Sequence, residues 1–397
     1  MSAPHREFPP YISFLIGALM SVSQLAYQAT IPFKLKALGG GLDSVGFLFT
    51  WTSAWYVAAG LSLGWISHRY GPRRTMLTTL VICGANALVI PFTTAIWQVY
   101  AVAMIYFISM CVFWAALEHA STGLHSHLTL IQSTAAFCVA FSLGNAAGQM
   151  TSSLLVSHTL IVPFLVAAGV LTIVFGLTWL TVAPAAGFHK STAAAIAAFP
   201  ETARLRLRRS LLASRTGLVG AYGMYALATL FLPRYLSEYR GFSKPLAGVL
   251  TTVVLLAMSA TFALHGGWKN WPHRLWIVRT CPFLAAGCVL LVGLASSVAV
   301  IAIGAVLVGV VAATAYSHNL YYSLEEPGQR ARNAGIHEAV VGVAFLLPPA
   351  LGGVATRWTH LPESIFWAGA ALAVLVGVTQ NITLALTGRR VKTWSTR

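Results

Sequence analysis

Pro184–Arg215 reads PAAGFHKSTAAAIAAFPETARLRLRRSLLASR, with Lys190, Arg204, Arg206, Arg208, Arg209 and Arg215 set against a single acid, Glu201. On either side lies a long, almost uncharged region. The chain therefore divides into residues 1–183, a basic connector at 184–215, and residues 216–397. Apolar residues make up 57% of the chain and charged residues 9%, against roughly 25% charged in an ordinary soluble domain. That leaves too little polar surface to clothe a soluble fold of 397 residues. The net charge of +16 does not signal nucleic acid, because the bases occupy short gaps between apolar runs. Bases so placed suit loops that face anionic lipid and cytoplasm.

A hydrocarbon core of about 30 Å takes about 20 apolar residues of helix. Twelve stretches qualify: Tyr11–Ile31, Ser44–Ile66, Thr75–Thr94, Ile96–Glu118, Gln132–Val156, Leu160–Ala183, Thr216–Leu236, Leu246–Gly266, Trp276–Ser297, Ala299–Tyr322, Gly335–Ala355 and Glu363–Leu386. Short alternating strands are missing, which excludes a membrane barrel. The expected fold is all-α and polytopic, with six spans on each side of the connector. The first span is read as a retained helix, since no cleavage site adjoins it. The five cysteines lie inside apolar runs with no CxxC pair, as small packing residues rather than a disulfide framework.

Lys and Arg set the expected orientation. With the N-terminus inside, 19 of the 25 bases fall on the inner side and six on the outer, which predicts both termini in the cytoplasm of a plasma or bacterial inner membrane. The halves also echo one another. Phe113–Ala120 (FWAALEHA) and Leu320–Pro327 (LYYSLEEP) close the fourth and tenth spans, 207 residues apart. Gly64-Trp65 before His68-Arg69 is matched by Gly267-Trp268 before His273-Arg274. Two echoes in register indicate internal duplication.

After the second span, Gly64-Trp65-Ile66-Ser67-His68-Arg69-Tyr70-Gly71-Pro72-Arg73 resembles the signature Gly-x-x-x-Asp-Arg-x-Gly-x-[Arg/Lys] of the major facilitator superfamily. His68 stands at the Asp position. The antiporter signature of the fifth span survives only as Gly144 and Gly148, with Gln149 in place of its Pro and Ser152 and Ser153 in place of its last glycines. The resemblance covers essentially the whole chain. It implies a secondary transporter with two pseudo-symmetric six-helix bundles rocking about a midplane site, lined by spans one, four, seven and ten.

Polar residues placed at mid-depth are the candidate substrate contacts: Gln24 and Gln28 on one face of the first span, Tyr106, Asn145, Tyr222 and Tyr225, with Tyr316 and Asn319 nearer the inner side. Each could equally bond a neighbouring helix for about 0.6–2 kcal/mol. No Lys or Arg falls at mid-depth, which disfavours an anionic solute. No acid is placed there either, so a neutral, aromatic or amphipathic solute is expected.

Acids near the spans are costly and so carry functional weight. Glu118 and Glu325 end the fourth and tenth spans, beside the loops carrying Arg69, Arg73 and Arg274. They are expected either to latch the inner side, as Arg69 or Arg73 with Glu118 and Arg274 with Glu325, or to form rim ion pairs worth about 1 kcal/mol or less. His337-Glu338 is expected in the first turn of span eleven. There Glu338 either caps the helix dipole or shares a proton with His68 or His337.

Trp51, Trp55, Tyr56, Trp97 and Tyr100 read as interfacial anchors. His125 and His127 fall short of a metal site. No P-loop, GxSxG or HExxH occurs, so neither ATP-driven transport nor a known hydrolysis is supported, and no cofactor is implied. The partners expected are a small-molecule substrate, protons and membrane lipids. Two rivals share the pattern. A lipid translocator would open laterally between spans five and eight, and a non-transporting receptor or scaffold would have a sealed midplane.

Overall fold

The computed structural model describes residues 10–62, 66, 69–121, 128–182, 200–272, 274–326 and 329–394. Twelve α-helices run through them: α1 (Pro10–Ala37), α2 (Leu42–Ser62), α3 (Pro72–Val89), α4 (Ile96–Ser121), α5 (Leu130–Leu155), α6 (Val162–Thr181), α7 (Glu201–Tyr239), α8 (Lys244–Gly267), α9 (Leu275–Leu294), α10 (Val298–Glu325), α11 (Arg330–Thr359) and α12 (Ser364–Trp394). Eleven are long and apolar enough to cross a membrane. The remaining one, α2, has spanning length, but Thr50, Thr52, Ser53, Trp55 and Tyr56 lower its mean hydropathy. Long apolar side chains such as Ile173, Leu180, Leu264, Leu375 and Ile382 are exposed on the outer surface. Water would not tolerate such a belt, and lipid does.

Local chemistry sets several helix ends. Thr129 and Gln132 form a reciprocal capping box at the start of α5, satisfying two otherwise unpaired amide donors. Ser243 accepts from the Leu246 amide at the start of α8. Gly71 takes φ 80° before Pro72 at the start of α3, a backbone angle that side-chain-bearing residues seldom adopt.

Two boundaries differ from expectation. Nearly half of the basic connector, residues 201–215, is helical, because α7 begins at Glu201 and runs 39 residues, about 58 Å at 1.5 Å per residue. Its first four turns exceed what a 30 Å core accommodates. Leu207, Ser210, Leu211 and Ser214 are buried there while Arg206, Arg208 and Arg209 face outward, a helical period. Leu207 and Leu211 pack with Tyr322 of α10. The α11 helix begins at Arg330, five residues ahead of the expected Gly335. Residues 184–199, His68, His125, His127 and His273 lie outside the described residues.

The halves meet along α2 with α11 and along α5 with α8, with lighter contact between α1 and α7. A β-carbon on Gly46 of α2 would lie 2.7 Å from the Pro349 carbonyl oxygen and 2.9 Å from the Gly353 Cα of α11. Within the first half, a β-carbon on Gly144 or Gly148 would collide with the Ala18 and Val22 carbonyls of α1. These glycines let the backbones touch, as small-xxx-small pairs do. At the α5–α8 seam the Ser142 and Ser259 hydroxyls lie 2.7 Å apart.

Candidate functional site

A cavity of about 70 Å³ lies between the halves. α1 contributes Gln24 and Gln28, α5 contributes Asn145, α7 contributes Tyr222 and Tyr225, and α10 contributes Tyr316. These six of the eight candidate contacts are brought together. Tyr106 points elsewhere: its ring stacks on Tyr27 at 3.9 Å, in the core of the first half. Asn319 sits behind the wall, its Oδ1 2.7 Å from His337 Nδ1. An amide oxygen only accepts, so Nδ1 carries the proton and donates.

The wall is largely aromatic. The Tyr222 ring lies 4.6 Å from Tyr225 and 5.1 Å from Tyr316, and Phe345 closes on Tyr222 at 5.8 Å. Trp114 of α4 donates its indole N–H to Gln24 Oε1 at 3.0 Å. The Gln28 amide approaches Met110 Sδ at 3.9 Å.

Glu118 and Glu338 both line this cavity and are 4% exposed, which corrects the expectation that no acid reaches it. Glu338 lies eight residues into α11, about 12 Å along the axis. That is beyond the first turn, so dipole capping does not account for it. An oxygen of each carboxyl and one nitrogen of His337 all lie within 4.8 Å of one another. The Tyr56 hydroxyl donates to Glu338 Oε2. Glu118 Oε2, Asn145 Oδ1 and His337 Nε2 are buried without a partner.

The two carboxyls come from opposite halves. Two full charges at 4.8 Å would repel by roughly 3.5 kcal/mol at an effective dielectric of 20. One bound positive charge between them removes that penalty. Two carboxylates and an imidazole are also a donor set that divalent transition metals accept.

The expected inner latches are not formed. Glu118 makes no ion pair among the described residues. Arg73 instead donates to the Trp179 carbonyl at 2.6 Å and lies 4.7 Å over that indole, and Arg69 lies 5.7 Å from the Tyr70 ring centre. Arg274 stands over Trp268 at 5.8 Å rather than against Glu325. The neighbour of Glu325, Glu326, takes Arg204 from the start of α7 at 3.2 Å. Arginines next to aromatic rings and free carbonyls settle there rather than on acids turned inward. His68, the proposed partner of Glu338, lies outside the described residues.

Sequence reasoning missed Tyr56 by grouping it with Trp51 and Trp55. Those two are 44% and 42% exposed, while Tyr56 is 6% exposed. The signal was the helical stripe Thr52, Ser53, Tyr56, Ala59 and Gly60, all buried on one face of α2. Phe137 and Phe141 of α5 and Phe345 of α11 were missed because apolar residues on a span carry no mark distinguishing cavity from core.

A second hollow on the side of the termini is lined by Phe14, Leu128, Leu320, Leu324 and Arg330, and it shares Glu118 and Phe137 with the central cavity. Arg330 donates to the Leu324 carbonyl at 2.8 Å, and burial pulls its guanidinium below the ordinary arginine value. At the opposite end the halves are tied together. Arg234 of α7 donates to the Gly40 and Gly41 carbonyls at 2.9 and 3.1 Å. Glu238 receives Arg234 at 2.8 Å and Lys36 at 3.1 Å.

The family model of the Major Facilitator Superfamily matches residues 13–326. The chain belongs to that superfamily: it is an integral membrane secondary transporter, in a family of transporters and not of enzymes. Comparison with curated sequences gave no match. Among solved structures, the nucleoside transporter NupG aligns with a TM-score of 0.70 at 10% identity, over 94% of this chain and 98% of its own. The human organic anion transporter MFSD10 (TETRAN) aligns with a TM-score of 0.65 at 18% identity, over 96% and 100%. At those identities the likeness is one of fold.

Proposed function

We propose that this transporter moves a small amphipathic solute by alternating access, and that protons drive it through the Glu118–Glu338 pair. The observation that carries this reading is a carboxyl from each half meeting at the edge of a buried cavity. A proton held between them bridges the halves, and its loss leaves two like charges that push the halves apart. Protonation thus biases a two-state element, which is what coupling requires. Tyr56, donating to Glu338 from the other half, steadies the bridged form.

The cavity wall supports an amphipathic solute, with rings for its apolar body and amides for its polar part. A nucleoside, the solute named for NupG, suits such a wall. An organic anion, the solute named for MFSD10, would face two carboxyls with no Lys or Arg among the described lining residues. The rivals are less well supported. Close α5–α8 packing argues against a lateral lipid gate there, and a polar-lined cavity between the halves argues against a sealed scaffold. We read the side of the termini as cytoplasmic, from the distribution of bases, and residues 184–215 as the joint between two duplicated bundles.

The test is a proteoliposome with an imposed pH gradient and a library of labelled solutes. Wild type is expected to accumulate a solute only with the gradient present, and Glu338→Gln to lose the gradient dependence while keeping its melting temperature. Uptake equal with and without a gradient would remove proton coupling.

A further inference from the structure

We propose that the transported solute is an organic cation, a hydrophobic amine, whose ammonium group takes the place of the proton between Glu118 and Glu338, so that solute and proton exchange for one another. This rests on the proton-coupled reading and gives it a solute class and a direction of coupling.

Acceptors left without a partner face the cavity. Three of its donor groups are engaged: the Trp114 N–H on Gln24, the Tyr56 O–H on Glu338, and the Gln28 amide beside Met110. Its unpartnered buried atoms are Glu118 Oε2 and Asn145 Oδ1, and both accept. A buried acceptor without a partner is costly, so the ligand that fits brings donors. An ammonium group has up to three and accepts nothing. A neutral alcohol offers one, and a carboxylate offers none.

The wall suits a cation as well. Tyr225 and Tyr316 each lie within about 5 Å of Tyr222, and Phe345 completes the group. Aromatic faces attract a cation, most strongly where water is excluded, and the same rings bury the apolar body of an amine. With no Lys or Arg among the described lining residues, nothing there repels it.

Charge sets proton and ammonium in competition. One positive charge relieves the repulsion between the two carboxylates, and a second adds nothing comparable, so proton and ammonium compete. The titratable groups facing the pair are Tyr56, Cys111 and Cys138 on the first half, and Tyr222, Tyr316 and His337 on the second. Arg330 lines the hollow beneath Glu118, and Arg215 acts on His337 from the same side. Neither arginine is paired with Glu118 or Glu338, which leaves the pair's charge for a mobile cation.

The experiment uses the purified full chain and three probes of one shape: 4-phenylbutylamine, 4-phenylbutyltrimethylammonium and 4-phenylbutanol. Binding is followed by calorimetry between pH 5.5 and 8.5. The quaternary ion keeps its charge throughout, so its pH dependence reports the protein alone. Both cations are expected to tighten by up to tenfold per pH unit as the pair loses its proton, with the alcohol at least tenfold weaker and flat. Glu118→Gln should weaken the amine at least tenfold. Asn145→Asp, which adds a negative acceptor, should tighten it at least threefold, a gain that misfolding cannot imitate. In proteoliposomes, an outward gradient of the quaternary ion, which cannot shed a proton and cross lipid as a neutral base, should drive protons inward. If the alcohol binds as well as the amine, or if Zn2+ binds tightly through Glu118 while the amine does not, the organic-cation assignment is overturned. Proton coupling of another solute would survive that result. If no solute moves protons, the reading beneath it falls as well.

Discussion

Arg234→Met should open the end of the molecule opposite the termini. Arg234 is 4% exposed and makes three contacts there. The one to Glu238 lies within α7 and survives separation of the halves. The two to Gly40 and Gly41 cross between halves and are lost when that end opens. A hydrogen bond from a charged donor contributes about 1.5–3 kcal/mol, so two distinguish the closed from the open arrangement by about 3 kcal/mol at the low end. At 1.4 kcal/mol per decade this is a population shift of about 100-fold. The neighbouring Lys36–Glu238 pair is a different case. The Lys36 side chain is 55% exposed, so solvent screening holds the pair to about 1 kcal/mol or less, and Lys36→Ala should shift the same ratio less than about fivefold. Spin labels at the exposed Ser157 and Ser296, one on each half at that end, would read the distance by pulsed resonance. A short distance should dominate in wild type and a long one in Arg234→Met. An unchanged distribution in Arg234→Met, or an equal response in Lys36→Ala, would refute the assignment of this end's closure to Arg234.

Other substitutions separate core from cavity. Tyr106→Phe should leave transport unchanged and stability equal or slightly higher, since its hydroxyl is buried without a partner; thermal melting and uptake together check this. Tyr56→Phe removes the donor to Glu338, a hydrogen bond to a carboxyl worth about 1.5–3 kcal/mol, and should reduce gradient-driven uptake at least tenfold with folding retained. Gly148→Leu forces a side chain into the Val22 carbonyl of α1, an overpacking cost of about 1–3 kcal/mol, and should lower the melting temperature in detergent.

The twelve spans were legible because bilayer thickness is a strict length filter and apolar runs satisfy it whatever their packing. The pocket was partly legible for a related reason. A polar residue in a span must find a partner, so Gln24, Gln28, Asn145 and the tyrosines of α7 and α10 stood out. Tyr106 shows the limit of that inference. Its ring finds Tyr27 and Phe107 within its own half, and no local signal separates a tyrosine facing the cavity from one facing a neighbouring helix.

The acids were misjudged for a different reason: their depth was read from distance to the end of an apolar run. α11 starts five residues ahead of its run, because Arg330-Ala331-Arg332-Asn333 is polar yet helical. Glu338 is thereby carried two turns inward. Glu118 does lie near the end of α4, but depth along one helix does not fix exposure. The other half covers it, and α11 brings Glu338 and His337 against it. Glu118 also forms part of both hollows, so the group that would hold the coupling charge also stands between the central cavity and the side of the termini. A charge arriving from that side meets the pair before it meets the aromatic wall. An exchanger that carries amine out and protons in needs that order, because on that side the arriving ammonium must reach the carboxyls to displace their proton.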